Sequence, residues 1–395
     1  MYNIKKQNSK KHINFLLIFL IFIPLYNFEN IYFRYLGISF IGLLFFVSSS
    51  YLFKLRGENK DYYLNKNMIK PIVYSFMVIC SYIITIMIDF SIINIKPLIQ
   101  FILLLVYLLF LVNINFSKIC YKKLAYVFLI IIFLCYMPMF LGYGFIPIGY
   151  KAFFSTTTFL GIFSLLLIEL SFLAYKFSEK KIFVLYIFLF LNLMLKAQTR
   201  AALLGLILVV FTYLLLSFKR VRAFTWKLSK IILVTLLIGF IIIYPNLEKF
   251  SWYPKLAELV YSMTGKILMS GRNNIWIYAV DLIKNRAIFG YGFSAFSIFN
   301  ISPHNSYIGI TLQSGLFGLA TVILFINSIF NLMHKCRKDP IVKSCTCFFI
   351  GNLTVSAFEV MLFQGQLALS LFLWLIVAIG INRVLNLQRS NANEI

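Results

Sequence analysis

Acidic residues are scarce in this 395-residue chain: Asp and Glu total 12 against 37 Lys and Arg, and charged residues make up 12%. That is about half the usual share for a soluble domain. With 61% hydrophobic residues and a mean hydropathy of +0.89, the composition excludes a water-soluble domain and a disordered chain alike. Cysteine is sparse as well. None of the six cysteines falls in the longest polar interval, 245–305, which excludes a disulfide framework there. His334, Cys336, Cys345 and Cys347 follow no usual zinc-ligand spacing. Polar linkers that would divide domains are missing too, so 1–395 reads as a single membrane domain.

What is present is apolar sequence in lengths set by the bilayer. About twelve stretches approach the length needed to cross hydrocarbon: 13–28, 32–53, 71–89, 97–112, 124–141, 152–175, 182–195, 198–217, 229–244, 306–330, 344–363 and 365–383. The expected fold is all-α and polytopic, with one long extracytoplasmic loop, 245–305, carrying amphipathic helices. The first stretch follows Lys5, Lys6, Lys10 and Lys11 without a small-residue cleavage site, and is expected to be retained.

Placing the N-terminus in the cytoplasm sorts most Lys and Arg to the cytoplasmic side, as the positive-inside rule requires. The C-terminus then also lies in the cytoplasm. Topology accounts for most of the net charge of +25, and nucleic acid loses its claim because no folded basic domain or stacking platform accompanies the clusters.

The interval 245–305 is basic although an outer loop gains nothing in topology from it. It holds Lys249, Lys255, Lys266, Arg272, Lys284 and Arg286 against Glu248, Glu258 and Asp281. An anionic ligand such as a phosphate explains that charge; anionic lipid head groups are the alternative. Within it, 273–287 reads as an amphipathic helix at the interface. Ile275, Trp276, Ala279, Val280 and Ile283 lie on one face, Asn274, Asp281 and Asn285 on the other. The glycines of Gly290-Tyr291-Gly292 supply its stop.

Arg272 opens that helix, where free N–H groups already favour an anion, and its guanidinium suits a diphosphate. Arg200, beside Lys196 in Lys196-Ala197-Gln198-Thr199-Arg200, stands between two apolar spans with almost no loop. It is either a second phosphate ligand or a snorkelling charge. His304, in Pro303-His304-Asn305-Ser306, is the outer histidine. It is either a general base for a sugar hydroxyl or a surface residue. Glu359, read as mid-span with Asn352 on its face, and Glu169 in the sixth span are intramembrane carboxyls, each either functional or bonded to a neighbouring helix. Tyr143, Phe145 and Tyr150 either stack on sugars or anchor at the interface.

Three motifs in order carry a resemblance. Gln198-Thr199-Arg200-Ala201-Ala202-Leu203-Leu204 comes first. Ser270-Gly271-Arg272 follows, with Trp276 and Phe289-Gly290-Tyr291-Gly292-Phe293. Last is Pro303-His304-Asn305-Ser306-Tyr307 with Gly315-Leu316-Phe317-Gly318-Leu319. Together, over roughly 190–325, the motifs resemble those of the O-antigen ligase and polysaccharide polymerase (Wzy-type) superfamily.

That resemblance implies metal-independent glycosyl transfer, without a cofactor, at the outer face of the bacterial inner membrane. The implied donor is an undecaprenyl diphosphate-linked oligosaccharide. Arg200 and Arg272 would bind the diphosphate, and His304 would activate the acceptor. Arg286, Lys284, Asn305, Lys196 and Glu359 are the accompanying substrate-binding candidates. Membrane lipid, a chain-length regulator and a flippase are the expected partners. Ser306 stands where many ligases carry an acid, and the Gly-Arg, Trp and Phe-Gly-Tyr-Gly-Phe arrangement is more similar to the polymerases. The rival activities are ligation to lipid A core and, in another class, flipping or transport without covalent chemistry. A transporter is expected to show paired repeats or broken helices lining a midplane site.

Overall fold

The computed structural model describes residues 13–57, 66–114, 116, 118–146, 149–218, 244–265, 267–269, 272–298, 300 and 302–393. All but the last residue of the stretch expected over 229–244 lies outside them. Helices α1 (Ile13–Asn27), α2 (Ile31–Gly57), α3 (Ile69–Ile88), α4 (Ile92–Val112) and α5 (Lys118–Phe140) lead to a short hairpin, β1 (Phe145–Ile146) and β2 (Gly149–Tyr150). Then come α6 (Thr157–Ser178), α7 (Ile182–Lys196) and α8 (Arg200–Ser217). The polar interval supplies α9 (Tyr253–Thr264), α10 (Arg272–Asn285) and the short α11 (Ala295–Ile298). Helices α12 (Ser306–His334), α13 (Pro340–Val355) and α14 (Leu367–Asn393) complete the order. Among the described residues eight helices are long and apolar enough to cross a membrane. The protein is an all-α, multi-pass membrane protein.

Helices α6 and α14 form the centre, each with 89% of its apolar window enclosed. Both are apolar around the whole circumference, the pattern of a helix surrounded by others. The capping residues explain where the helices begin. Thr156 accepts from Phe159 N at α6, Asn305 accepts from Tyr307 N and Ile308 N at α12, and Asp339 does the same for Ile341 N and Val342 N at α13. Asp339 also receives the Arg383 guanidinium at 2.9 and 3.0 Å. That pair lies at the end of the bundle where Lys335 and Lys343 bond Asn67 and Ser217.

Inside the bundle Glu169 of α6 accepts from Asn352 Nδ2 of α13 at 2.6 Å. Of the two readings of Glu169, the bond to a neighbouring helix is the one observed, and its partner is Asn352, which was expected only to share a face with Glu359. A glutamine carbonyl can accept the same bond, so Glu169→Gln is expected to melt close to the wild-type temperature in detergent. Asn352→Leu leaves a buried carboxyl group without its donor and should cost about 1–3 kcal/mol. Equal melting of the two variants would contradict this pairing.

Two departures from regular helix position the site. Helix α13 has 16 residues, roughly 24 Å, which is short of the ~30 Å hydrocarbon core. It stops at Val355, and 356–366 continues as irregular chain. Non-helical backbone at such depth has to be satisfied by protein groups. Ser306 Oγ donates to Glu359 O at 2.9 Å and accepts from Met361 N and Leu362 N. Ser370 Oγ and Trp374 Nε1 bond the carbonyls of Met361 and Leu362.

The second departure is a break in α12 at Gly315, whose φ of 67° and ψ of −171° suit glycine alone. Across the break the loop after α10 substitutes for the helix's own ladder. Leu316 N and Phe317 N donate to the carbonyls of Ala287 and Ile288, while Tyr291 N and Gly292 N donate to those of Leu312 and Gln313. Thr85 of α3 and Asn94 of α4 bond Phe289 O and Ser294 N. The Phe-Gly-Tyr-Gly and Gly-Leu-Phe-Gly motifs are therefore two halves of one interlock.

Candidate active site

His304 owes its position to its neighbours. Trp276, fully buried on α10, donates its indole N–H to Pro303 O at 2.5 Å. On the other side Asn305 is held as the cap of α12. Between these two anchors His304 adopts φ +44°, a conformation that costs a non-glycine residue about 1–3 kcal/mol and clusters at functional sites. Helix α10 begins at Arg272 and buries Asn273, Trp276, Ala279 and Leu282. The two expected faces are recovered, with Asn274, Asp281 and Asn285 outward. It packs on α12, and it ends at Asn285, before the glycine turn. The expected Ser270 and Gly271 lie outside the described residues.

Arg272 and His304 meet at Glu359. Arg272 Nη2 lies 2.8 Å from Glu359 Oε1 and Nη1 donates to Phe358 O at 2.7 Å, while His304 Nδ1 is 3.5 Å from Glu359 Oε2. Glu359 was expected in mid-helix. It stands instead in the irregular segment 356–366, because α13 ends four residues earlier. The three side chains line a cleft of about 110 Å³ with Thr156, Thr158, Phe159, Gln366 and others. His304 is 42% exposed and Glu359 only 9%, so the imidazole faces the open side and the carboxylate the protein. An acid near His304 thus comes from position 359, whereas Ser306 ties down the chain that carries it.

The remaining expected residues are placed differently. Arg200 opens α8 and donates to Ile267 O at 3.0 Å, in the segment leading to Arg272. It does not line the cleft. Asn305 Oδ1 is engaged as a helix cap. Arg286 sits over the Tyr291 ring and 3.9 Å from Asp89; Lys284 pairs with Asp281 at 2.6 Å; Lys196 is exposed at the end of α7. These three lie outside the cleft. The starts of α6, α8, α12 and α14 and the end of α13 gather at this end of the bundle, opposite the Lys335, Lys343 and Arg383 end. Four helix N-termini there favour negative charge.

Sequence reasoning missed Thr156, Thr158 and Gln366, which reach the cleft from both central helices. It also missed Glu29, which accepts from Lys151 Nζ at 2.7 Å and Tyr143 at 3.3 Å. The Lys151 hydrogen bond, chief among its causes, holds the Glu29 carboxyl below the ordinary carboxylate range despite partial burial. No motif marks these residues; only Thr156, directly before an apolar run, carried a helix-cap signal. Among the described residues no three of His, Cys, Asp and Glu gather as a metal site, and His334 instead meets Arg337 at 2.7 Å.

A multi-pass bundle with a cleft at one end, lined by Arg272, His304 and Glu359, defines the class. Residues 184–323 match the model of a family described as O-antigen ligase. Arg200, Arg272, His304 and the interlock all fall inside the matched segment. Glu359 and the contributions of α6 and α14 fall outside it. No curated protein matches the chain.

Proposed function

We propose that the protein is a polymerase of O-antigen, capsular or exopolysaccharide repeat units. It transfers glycan from undecaprenyl diphosphate to the end sugar of an incoming lipid-linked repeat, at the outer face of the inner membrane. The observation that carries this reading is the Arg272–Glu359–His304 constellation in one cleft. A permanent cation suited to a diphosphate and an imidazole suited to a hydroxyl proton stand on either side of a single carboxylate.

In the proposed reaction His304 takes the proton of the acceptor hydroxyl as its oxygen bonds to the anomeric carbon. The bond from that carbon to the phosphate oxygen breaks, and undecaprenyl diphosphate departs with the electron pair. Arg272 stabilises that departing charge, while Arg200, outside the cleft, acts only through its bond to Ile267 O in the segment leading to Arg272. Glu359, facing Nδ1, supports the imidazolium formed at His304. The proton then passes to water. Arg286, Lys284 and Lys196 carry no step in this scheme.

Purified protein given lipid-linked repeat unit should form new glycosidic bonds and longer lipid-linked glycans. Translocation without product growth would identify a transporter instead. Cells lacking the chain should display polymer one repeat long; accumulation of long lipid-linked chains with unmodified core would favour the ligase.

A further inference from the structure

Beside the cleft, α1 and the chain entering α6 are laced together. Ser155 N donates to Asn27 O and Glu29 N to Phe153 O, with Phe28 and Phe154 paired as a bridge. Asn27 Nδ2 donates to Gln366 Oε1, and Gln366 lines the cleft. The next residue after Ser155 is Thr156, another wall of the cleft. Residues 27–29 and 151–155 therefore form a ledge continuous with the cleft floor.

The ledge carries an unusual set of groups for a lipid-facing surface. Glu29 is half exposed and bonded to Lys151 and Tyr143. Tyr143, itself 47% exposed, lies with its ring centroid 6.0 Å from that of Phe153, and Phe153 continues to Phe28 at 5.9 Å. Its frame is rigid. Tyr150, fully buried, donates to Cys135 O at 2.6 Å, which answers the sequence-based choice for that residue with a structural role. Gly144 at φ +86° packs so closely that a Cβ would meet Ala152 O at 2.9 Å.

Interface anchoring needs aromatic rings but gains nothing from a carboxylate, which anionic head groups repel. A sugar ring needs both, an apolar face to stack on and fixed donors and acceptors for its hydroxyls. We propose that this ledge of Glu29, Tyr143, Lys151 and Phe153 is a glycan subsite that seats a sugar ring of the repeat unit next to the reacting bond. It rests on the glycosyl-transfer reading and adds to it where the polymer's sugar is recognised. Donor and acceptor of a polymerase share one repeat, so either can present that ring.

The test uses the full-length protein in detergent and, as probe, the reducing oligosaccharide released by mild acid from the cells' own lipid-linked repeat. Wild type and His304→Ala should bind it alike by saturation-transfer NMR. Tyr143→Ala and Glu29→Gln should each weaken binding at least about tenfold, the scale of a lost polar recognition contact. With lipid-linked repeat as substrate, Tyr143→Phe, which keeps the ring and the fold, should raise KM several-fold and leave kcat unchanged. Unaltered binding and KM in all three ledge variants, or no binding to wild type, would overturn the subsite. The catalytic reading fails separately, through normal kcat in His304→Ala.

Discussion

Arg272→Lys is expected to lower polymer formation by about 10²- to 10³-fold while the protein still reaches the membrane in normal amount. Lysine keeps the positive charge but loses the planar fork, so it cannot hold Phe358 O and Glu359 together and still present donors to a diphosphate. The expected loss is that of one transition-state donor in a water-poor site. His304→Ala should be at least as damaging, because the acceptor oxygen then has to shed its proton unaided. The two readouts separate the roles. Single-turnover rates should fall in both variants, and donor affinity should fall in Arg272→Lys alone. Near-normal polymer from either variant would remove that residue from the chemistry.

Gly315→Ala should be the most destabilising single-methyl change among the glycines of the interlock. Its Cβ would stand 2.0 Å from Ile288 O and 2.2 Å from the carbon of the same carbonyl, in a backbone conformation closed to L side chains. The carbonyl cannot move aside without releasing the donors of Leu316 and Phe317 that it and Ala287 accept. The expected cost is ~3 kcal/mol or more, read as an earlier thermal transition or loss of folded protein. Activity should fall with it, because α10, which carries Arg272, is anchored through the same loop. Gly42→Ala is the control. Position 42 has nothing within 4 Å of a Cβ, and alanine is the better helix former by about 0.5–1 kcal/mol. Matching behaviour of the two variants would show that the break in α12 bears no load.

Much of this molecule was legible before its fold was known. Apolar length alone located nearly all of the described membrane helices, because hydrocarbon thickness imposes that length on every span. The alternation of polar and apolar residues over 273–287 recovered α10 and its faces to within two residues. It did not show that Trp276 would be enclosed against α12, since periodicity defines an inward face but not what meets it. The interval 344–363 failed as one span for a related reason. Its residues are mostly apolar, and nothing local marks Val355 as a stop. The helix ends there because the backbone beyond it is satisfied by Ser306, more than fifty residues earlier in the chain, and by Ser370 and Trp374 of the next helix.

Composition and motif spacing by themselves marked the membrane class, the likeness to the O-antigen ligase family over 184–323 and two residues that line the cleft, Arg272 and His304. These follow from local facts: apolar length, residue type and order along the chain. Only the tertiary structure decided that Glu359 is the group joining them, that two glycine motifs form one interlock, and that Arg286, Lys284 and Lys196 stand apart. Those facts depend on where separate helix ends meet, and such meetings are set by packing across dozens to hundreds of residues.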